Sequence, residues 1–165
     1  MSKVGFKIRS ARTEDEPILQ EIREAAFTPI FASFRSILGD EIYDLAQAKE
    51  DQAQKSLLTS MLDSKSDWNV YTVEFEDKVV GFVSIQLNRE TRVGEIGLNA
   101  VHPSHAGKGI GSKMYNFSVA QMKEAGMKVA TVATGGDPSH LAARKAYRKA
   151  GFTVEIPSIW MCQTL

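Results

Sequence analysis

The chain carries a single cysteine, Cys162. One thiol cannot close an intrachain disulfide, and it fits a reducing compartment, so the expected location is cytoplasmic. His102, His105 and His140 are the other soft ligands, and their spacing matches no zinc pattern, so no metal site is predicted. Apolar runs fall far short of a membrane span. The opening Met1-Ser2-Lys3-Val4-Gly5-Phe6 lacks the apolar core of a secretory signal. Charge of one sign is also missing: 20 basic and 20 acidic residues give a formal net charge of +0. Neither nucleic acid nor an anionic membrane is an expected partner. Repeats, low-complexity tracts and linkers are lacking too, and 165 residues fit one domain over 1–165. What is there is a core: 43% of the residues are hydrophobic, too many for a disordered chain.

The most informative stretch runs from Glu95 to Gly111, Glu-Ile-Gly-Leu-Asn-Ala-Val-His-Pro-Ser-His-Ala-Gly-Lys-Gly-Ile-Gly. It reads as a strand, a turn and a glycine-rich start of a helix. Gly107, Gly109 and Gly111 alternate, and helical apolar spacing resumes at Ile110, Met114 and Phe117. Glycine lets bare backbone N–H groups approach a ligand closely. The first N–H groups of a helix lack internal partners, and the helix dipole favours an anion there. A phosphate is the expected occupant, downstream of a carboxylate, Glu95, on the preceding strand. The spacing fails the dinucleotide pattern G-x-G-x-x-G, because Ser112 stands at its sixth position. It fails the Walker A pattern as well, because Ser112 separates Gly111 from Lys113. The alternative is a glycine-rich turn with no ligand.

A second segment, Asp137 to Phe152, has clear helical punctuation. Asp137 suits the N-cap, Pro138 the first helical position and Gly151 the residue past the end. His140, Ala143, Tyr147 and Ala150 fall on one stripe. A purely structural stripe usually carries Leu or Ile where this one carries Ala143 and Tyr147. The alternative for Tyr147 is a half-buried ring with its hydroxyl at the surface.

These two segments resemble the GCN5-related N-acetyltransferase (GNAT) family. The family's [QR]-x-x-G-x-[GA] signature corresponds to Ala106-Gly107-Lys108-Gly109-Ile110-Gly111. Its N-x-x-A-x-x-L-Y-x-K-x-G-F signature corresponds to His140, Ala143, Ala146, Tyr147, Lys149, Gly151 and Phe152. An opening of Ile8-Arg9-Ser10-Ala11 followed by Asp15 also resembles the family's first strand and helix. The departures are Ala106, where Arg or Gln is usual, and His140, where Asn is usual. The first leaves backbone amides to hold the pyrophosphate, and the second alters a pantetheine contact.

The resemblance implies acetyl-CoA as cosubstrate and acetyl transfer to a primary amine of a small molecule or peptide. It places cofactor contacts on Asn99, Ala100, Val101, on Ala106 through Ser112 (Gly107, Lys108, Gly109, Ile110 and Gly111 between them), and on His140, Ala143, Tyr147 and Lys149. An alkyl ammonium, with a pKa of about 10.4, must lose a proton before it attacks a thioester. Glu95 is the implied general base, with burial expected to raise its pKa. Its alternative is a solvated strand residue or ion-pair partner. Tyr147 is the implied acid to the leaving thiolate, and backbone N–H groups near Ala100 and Val101 polarise the acetyl carbonyl. Ser112 and Lys113 are further phosphate candidates, and His105 is a rim residue. The rest of the basic run Arg144, Lys145 and Arg148 reads as a solvated face. Two other classes remain open: a non-catalytic CoA-binding or regulatory module, and a nucleotide-binding α/β protein.

The expected fold is α/β (α+β), a GNAT-like mixed, mostly antiparallel sheet of six to seven strands flanked by about four helices. Strands are predicted at Lys7–Arg9, Trp68–Glu76, a hairpin partner carrying Val79, Gly81, Val83, Ile85 and Leu87 on one side, Arg92–Val101 and Met127–Ala133. Phe152–Leu165 is expected to complete the sheet. Helices are predicted over Glu14–Phe27, over Pro29–Leu62 with a break at Gly39-Asp40, and over Lys108–Ala125. The acceptor pocket is expected from Phe27–Leu45, with Phe27, Phe31, Phe34 and Tyr43, and from Asn88–Arg92. The apolar terminal run Ile156–Cys162 is expected to form an edge that pairs two copies into a homodimer.

Overall fold

A computed structural model of the chain describes residues 5–165. The order is β1 (Phe6–Ser10), α1 (Glu16–Leu38), α2 (Asp40–Ile42), a π-helical turn at Tyr43–Gln47, α3 (Ala48–Met61), β2 (Trp68–Phe75), β3 (Lys78–Asn88), β4 (Val93–Val101), α4 (Ile110–Glu124), β5 (Val129–Val132) and α5 (Leu141–Lys149). The strands form one sheet in the order β1-β2-β3-β4-β5. β1 to β4 pair antiparallel, and β5 joins β4 in parallel through the α4 crossover.

Period-two alternation divides the sheet between two cores. On one face Val73, Val83, Ile85 and Ile96 pack with Ile110, Met114, Tyr115 and Met122 of α4 and Tyr147 of α5. On the other, Val70, Phe82 and Ala100 pack with Leu19 and Ile22 of α1 and Leu58 and Met61 of α3. Glu76 (φ 52°) and Asp77 (φ 61°) make the tight turn between β2 and β3, the left-handed pair a two-residue hairpin needs. Two bulges interrupt the alternation. The first is at Val80: Val73 pairs with Gly81 and Glu74 with Val79, so Val79 and Val80 face opposite cores. The run Val79, Gly81, Val83, Ile85 and Leu87 therefore changes face after Val79. The second lies in β4, where Ile85 pairs with Ile96 but Val83 pairs with Asn99.

Three expectations are corrected. Among the described residues the sheet has five strands rather than six to seven. Phe152–Leu165 forms no strand and does not pair with β5: Val154 is 95% exposed and Ile159 86%. Helix α1 does not stop near Phe27 but runs through Pro29 to Leu38, ending where Gly39 takes φ 76°. An internal proline removes one helical hydrogen bond and costs about 3 kcal/mol. Burial of Leu19 and Ile22 offsets it on one side of Pro29. The extension carries Ile30 and Phe34 toward the carboxyl ends of the central strands.

Candidate active site

Pairing of β4 with β5 ends at Ile96 and Val132. Past that point the two strands part, and the second bulge places Gly97 and Leu98 opposite Ser84, whose hydroxyl donates to the Leu98 carbonyl at 2.9 Å. Glycine is required at the bulge, because a Cβ on Gly97 would lie 2.3 Å from the Trp68 ring. The gap opens into a cleft of about 760 Å³. Gly97 to Val101 line one wall and Ala133 and Thr134 the other.

One end of the cleft is the start of α4. Gly107 (φ 77°) and Gly109 (φ 73°) both occupy the left-handed region, and nothing lies within 4 Å of a Cβ built on either. Ala106, Gly107, Gly109, Ile110, Gly111 and Ser112 line the cleft there. Unpartnered helix-start N–H groups therefore face open space, a setting for an anion. Lys108 and Lys113 do not line it: their ammonium groups lie over Phe75 (5.4 Å) and Phe6 (4.9 Å). Lys149 does, and so does Lys145, which the sequence reading assigned to solvent. Burial, then the neighbouring charges of Lys108 and His102, hold rim residue His105 below the usual histidine value.

The middle of the cleft is a tyrosine pair. Tyr147 is buried rather than half-exposed, and its ring lies 4.3 Å from that of Tyr115. Asn99 joins them: Tyr115 donates to Asn99 Oδ1 at 2.8 Å, and Asn99 Nδ2 donates to the Tyr147 hydroxyl at 3.0 Å. Burial first, then the nearness of Tyr147, pushes Tyr115 well above the ordinary tyrosine value. Tyr115 escaped the sequence reading because it sits on the core face of α4, beside Met114.

His140 and Ala143 line the next part of the wall. His140 Nδ1 lies 2.6 Å from Asp137 Oδ1, and its ring stacks on Phe34 of α1 with centroids 5.8 Å apart. Burial pushes the Asp137 carboxyl up, but hydrogen bonds from Ser139 and His140 outweigh it and leave the group below its ordinary value. Arg144 donates to the carbonyls of Gly135 and Asp137 and fixes the loop before α5.

Ala26, Phe27, Ile30 and Glu95 also line the cleft. Glu95 is exposed, so the burial expected of it is not found. Of the four aromatic residues expected in the acceptor region, Phe27 lines the cleft. Phe31 packs on Phe27, Phe34 on His140, and buried Tyr43 donates to Asp51 at 2.7 Å. Asn88–Arg92 covers the last residue of β3 and its connection to β4, and lines no part of the cleft.

The sequence model of the acetyltransferase (GNAT) family matches residues 33–152. The chain belongs to that family. Its fold matches N-acetyltransferase PaiA of Thermoplasma acidophilum, solved with coenzyme A, at TM-score 0.72 and 19% identity over 93% of each chain. A Brucella melitensis GNAT acetyltransferase solved with acetyl-CoA matches at TM-score 0.60 and 22% identity, covering 92% of this chain and 85% of the other. An aminoglycoside acetyltransferase from an uncultured soil metagenomic sample, solved with sisomicin, matches at 0.59 and 18% identity over 97% of this chain and 96% of its own. No curated protein matches the chain in sequence.

Proposed function

We propose that this protein is an acetyl-CoA-dependent N-acetyltransferase, one domain that acetylates a primary amine of a small molecule or peptide. The observation that carries the reading is the hydroxyl of Tyr147, held at the parting of β4 and β5 in a cleft that ends in the glycine-rich start of α4. The residues present fit acetyl-CoA. Open glycine backbone and a helix N-terminus suit its phosphates, and the unpaired stretch of β4 suits its amide-bearing arm. When bound, acetyl-CoA supplies an activated thioester.

The chain's own groups do the rest. Backbone at Gly107 to Ser112 holds the anionic end, with Lys145 and Lys149 as cationic walls. The β4 edge from Asn99 to Val101 aligns the arm and offers N–H groups to the acyl oxygen. Glu95 takes the proton of the incoming ammonium, directly or through water, which its exposure permits. Tyr147 gives its proton to the departing sulfur. Phe27, Ile30 and Ala26 give the cleft that Glu95 also lines an apolar surface for the carbon skeleton of an amine. Structural similarity to an aminoglycoside acetyltransferase supports a small-molecule amine. The reading includes a homodimer in which the exposed tail of each copy covers the open β5 edge of the other.

Release of free thiol from acetyl-CoA across polyamines, amino acids, aminoglycosides and peptide N-termini tests the activity. Amine-dependent release supports it. A non-catalytic CoA-binding module is the second reading, favoured by the exposure of Glu95 and by His140 at the usual Asn position. It predicts tight acetyl-CoA binding with no release on any amine.

A further inference from the structure

The polar chain between the tyrosines has a direction, and the Gly97 carbonyl sets it. Asn99 Nδ2 donates to that carbonyl at 2.9 Å. A carbonyl oxygen accepts and never donates, so the NH2 end of the amide must face Gly97 and the oxygen must face away. That oxygen receives the proton of Tyr115 at 2.8 Å. The second N–H of the amide goes to the Tyr147 oxygen at 3.0 Å. An amide nitrogen has two hydrogens, and both are now used. The Tyr147 oxygen is therefore an acceptor within the chain, and its own proton is left over. We infer that Asn99 is a positioning residue that keeps the hydroxyl proton of Tyr147 directed away from the protein and into the cleft, ready for the sulfur that leaves. The inference rests on the proposed role of Tyr147 as acid.

The bulge makes this possible. Without the extra residue in β4, a strict alternation would place Gly97 and Asn99 at regular ladder positions opposite successive alternate residues of β3. The observed register instead sets Asn99 opposite Val83 with Gly97 and Leu98 in the bulge. Tyr115 is fixed by the α4 core face and Tyr147 by α5, so helices from two elements deliver their hydroxyls to one amide of the strand. An aspartate at position 99 would be isosteric and would reverse the chain. A carboxylate has no hydrogens to give, so it would accept from both tyrosines and hold the Tyr147 proton inward.

The test reads the thiol of bound coenzyme A, which needs no acceptor amine. Thiolate absorbance of protein-bound coenzyme A is followed against pH for the wild type, Tyr147→Phe, Asn99→Asp and Asn99→Ala. A proton donated to the sulfur favours the thiolate, so the wild-type midpoint lies below that of Tyr147→Phe. Asn99→Asp is expected to raise the midpoint at least as far as Tyr147→Phe does, by about one unit, the equivalent of a hydrogen bond to a charged group. Asn99→Ala, which leaves the Tyr147 proton undirected and adds no charge, is expected to give an intermediate rise. A raised midpoint in Tyr147→Phe with wild-type midpoints in both Asn99 variants overturns the inference and leaves Tyr147 as the acid. No change in Tyr147→Phe itself overturns the role of Tyr147 on which the inference depends. If Asn99→Asp fails to fold, Asn99→Ala alone decides.

Discussion

The proposed chemistry rests on few side chains, and Tyr147 is the one whose removal is most specific. Its ring is buried against Tyr115 and Phe152, so Tyr147→Phe keeps the packing and deletes only the hydroxyl. Acetyl-CoA affinity should survive while turnover falls about 10- to 1,000-fold, around the range of a general acid. Steady-state kinetics beside equilibrium binding checks this, and unchanged turnover would return Tyr147 to packing. At this scale the sequence was legible where a motif fixes a residue type. Tyr147, Gly107 and Gly109 stand where their spacing puts them. Tyr115 was not legible, because a tyrosine beside Met114 on a helix looks like core until a strand brings Asn99 to its hydroxyl. Glu95 was legible as a strand residue, but its exposure depends on which elements cover the cleft mouth.

Among the elements, the β4 bulge is the joint on which the site depends. Gly97→Ala would push a methyl into the Trp68 ring and the Ser84 hydroxyl. Overpacking of this kind costs about 1–3 kcal/mol. Chemical denaturation should show that loss, together with weaker acetyl-CoA binding, because the strand edge must shift. The β1–α1 joint makes a separate prediction. Arg9 donates to both carboxylate oxygens of Asp15 (2.7 and 2.9 Å) and to Glu74 at 2.6 Å. The hydrogen bond from Arg9 holds Asp15 below the usual carboxylate value, against an opposing contribution from burial and with help from the Arg12 N–H. A depressed carboxylate adds stability above its unfolded value of about 3.9 and loses it as pH falls through the lower folded value. Asp15→Asn should therefore cost about 2 kcal/mol at neutral pH, the scale of a charged hydrogen bond, and the gap to wild type should close as pH falls below about 3.9. Urea melts at a series of pH values measure both. The hairpin and the crossover were legible from alternation and turn residues. Neither bulge was, because a one-residue slip is set by partners across the sheet. The passage of α1 through Pro29 was not, because tertiary packing outweighs a local helix breaker.

For the whole molecule, the mixed sheet and the two flanking helical layers follow from the order of periods along the chain. The tail does not. Its apolar pattern reads as a strand, yet Ile156, Ile159 and Met161 stand 94%, 86% and 85% exposed, while β5 closes the sheet with an uncovered edge. Exposed apolar residues and an open edge on one chain are complementary between two copies. Light scattering after size exclusion should give twice the chain mass of 18.2 kDa at micromolar concentration, and Trp160→Ser should shift the population toward the single-chain mass. A single-chain mass for the wild type would reject the dimer. The central claim, that the cleft between β4 and β5 takes acetyl-CoA, is tested most directly by melting temperature with ligand in excess. A ligand at one hundred times its dissociation constant adds about 2.7 kcal/mol, which for a chain of this size raises the midpoint by about 5–10 °C. Acetyl-CoA should give that rise, and ATP and NAD none. An unchanged midpoint at millimolar acetyl-CoA, or a rise with ATP or NAD alone, would contradict the claim.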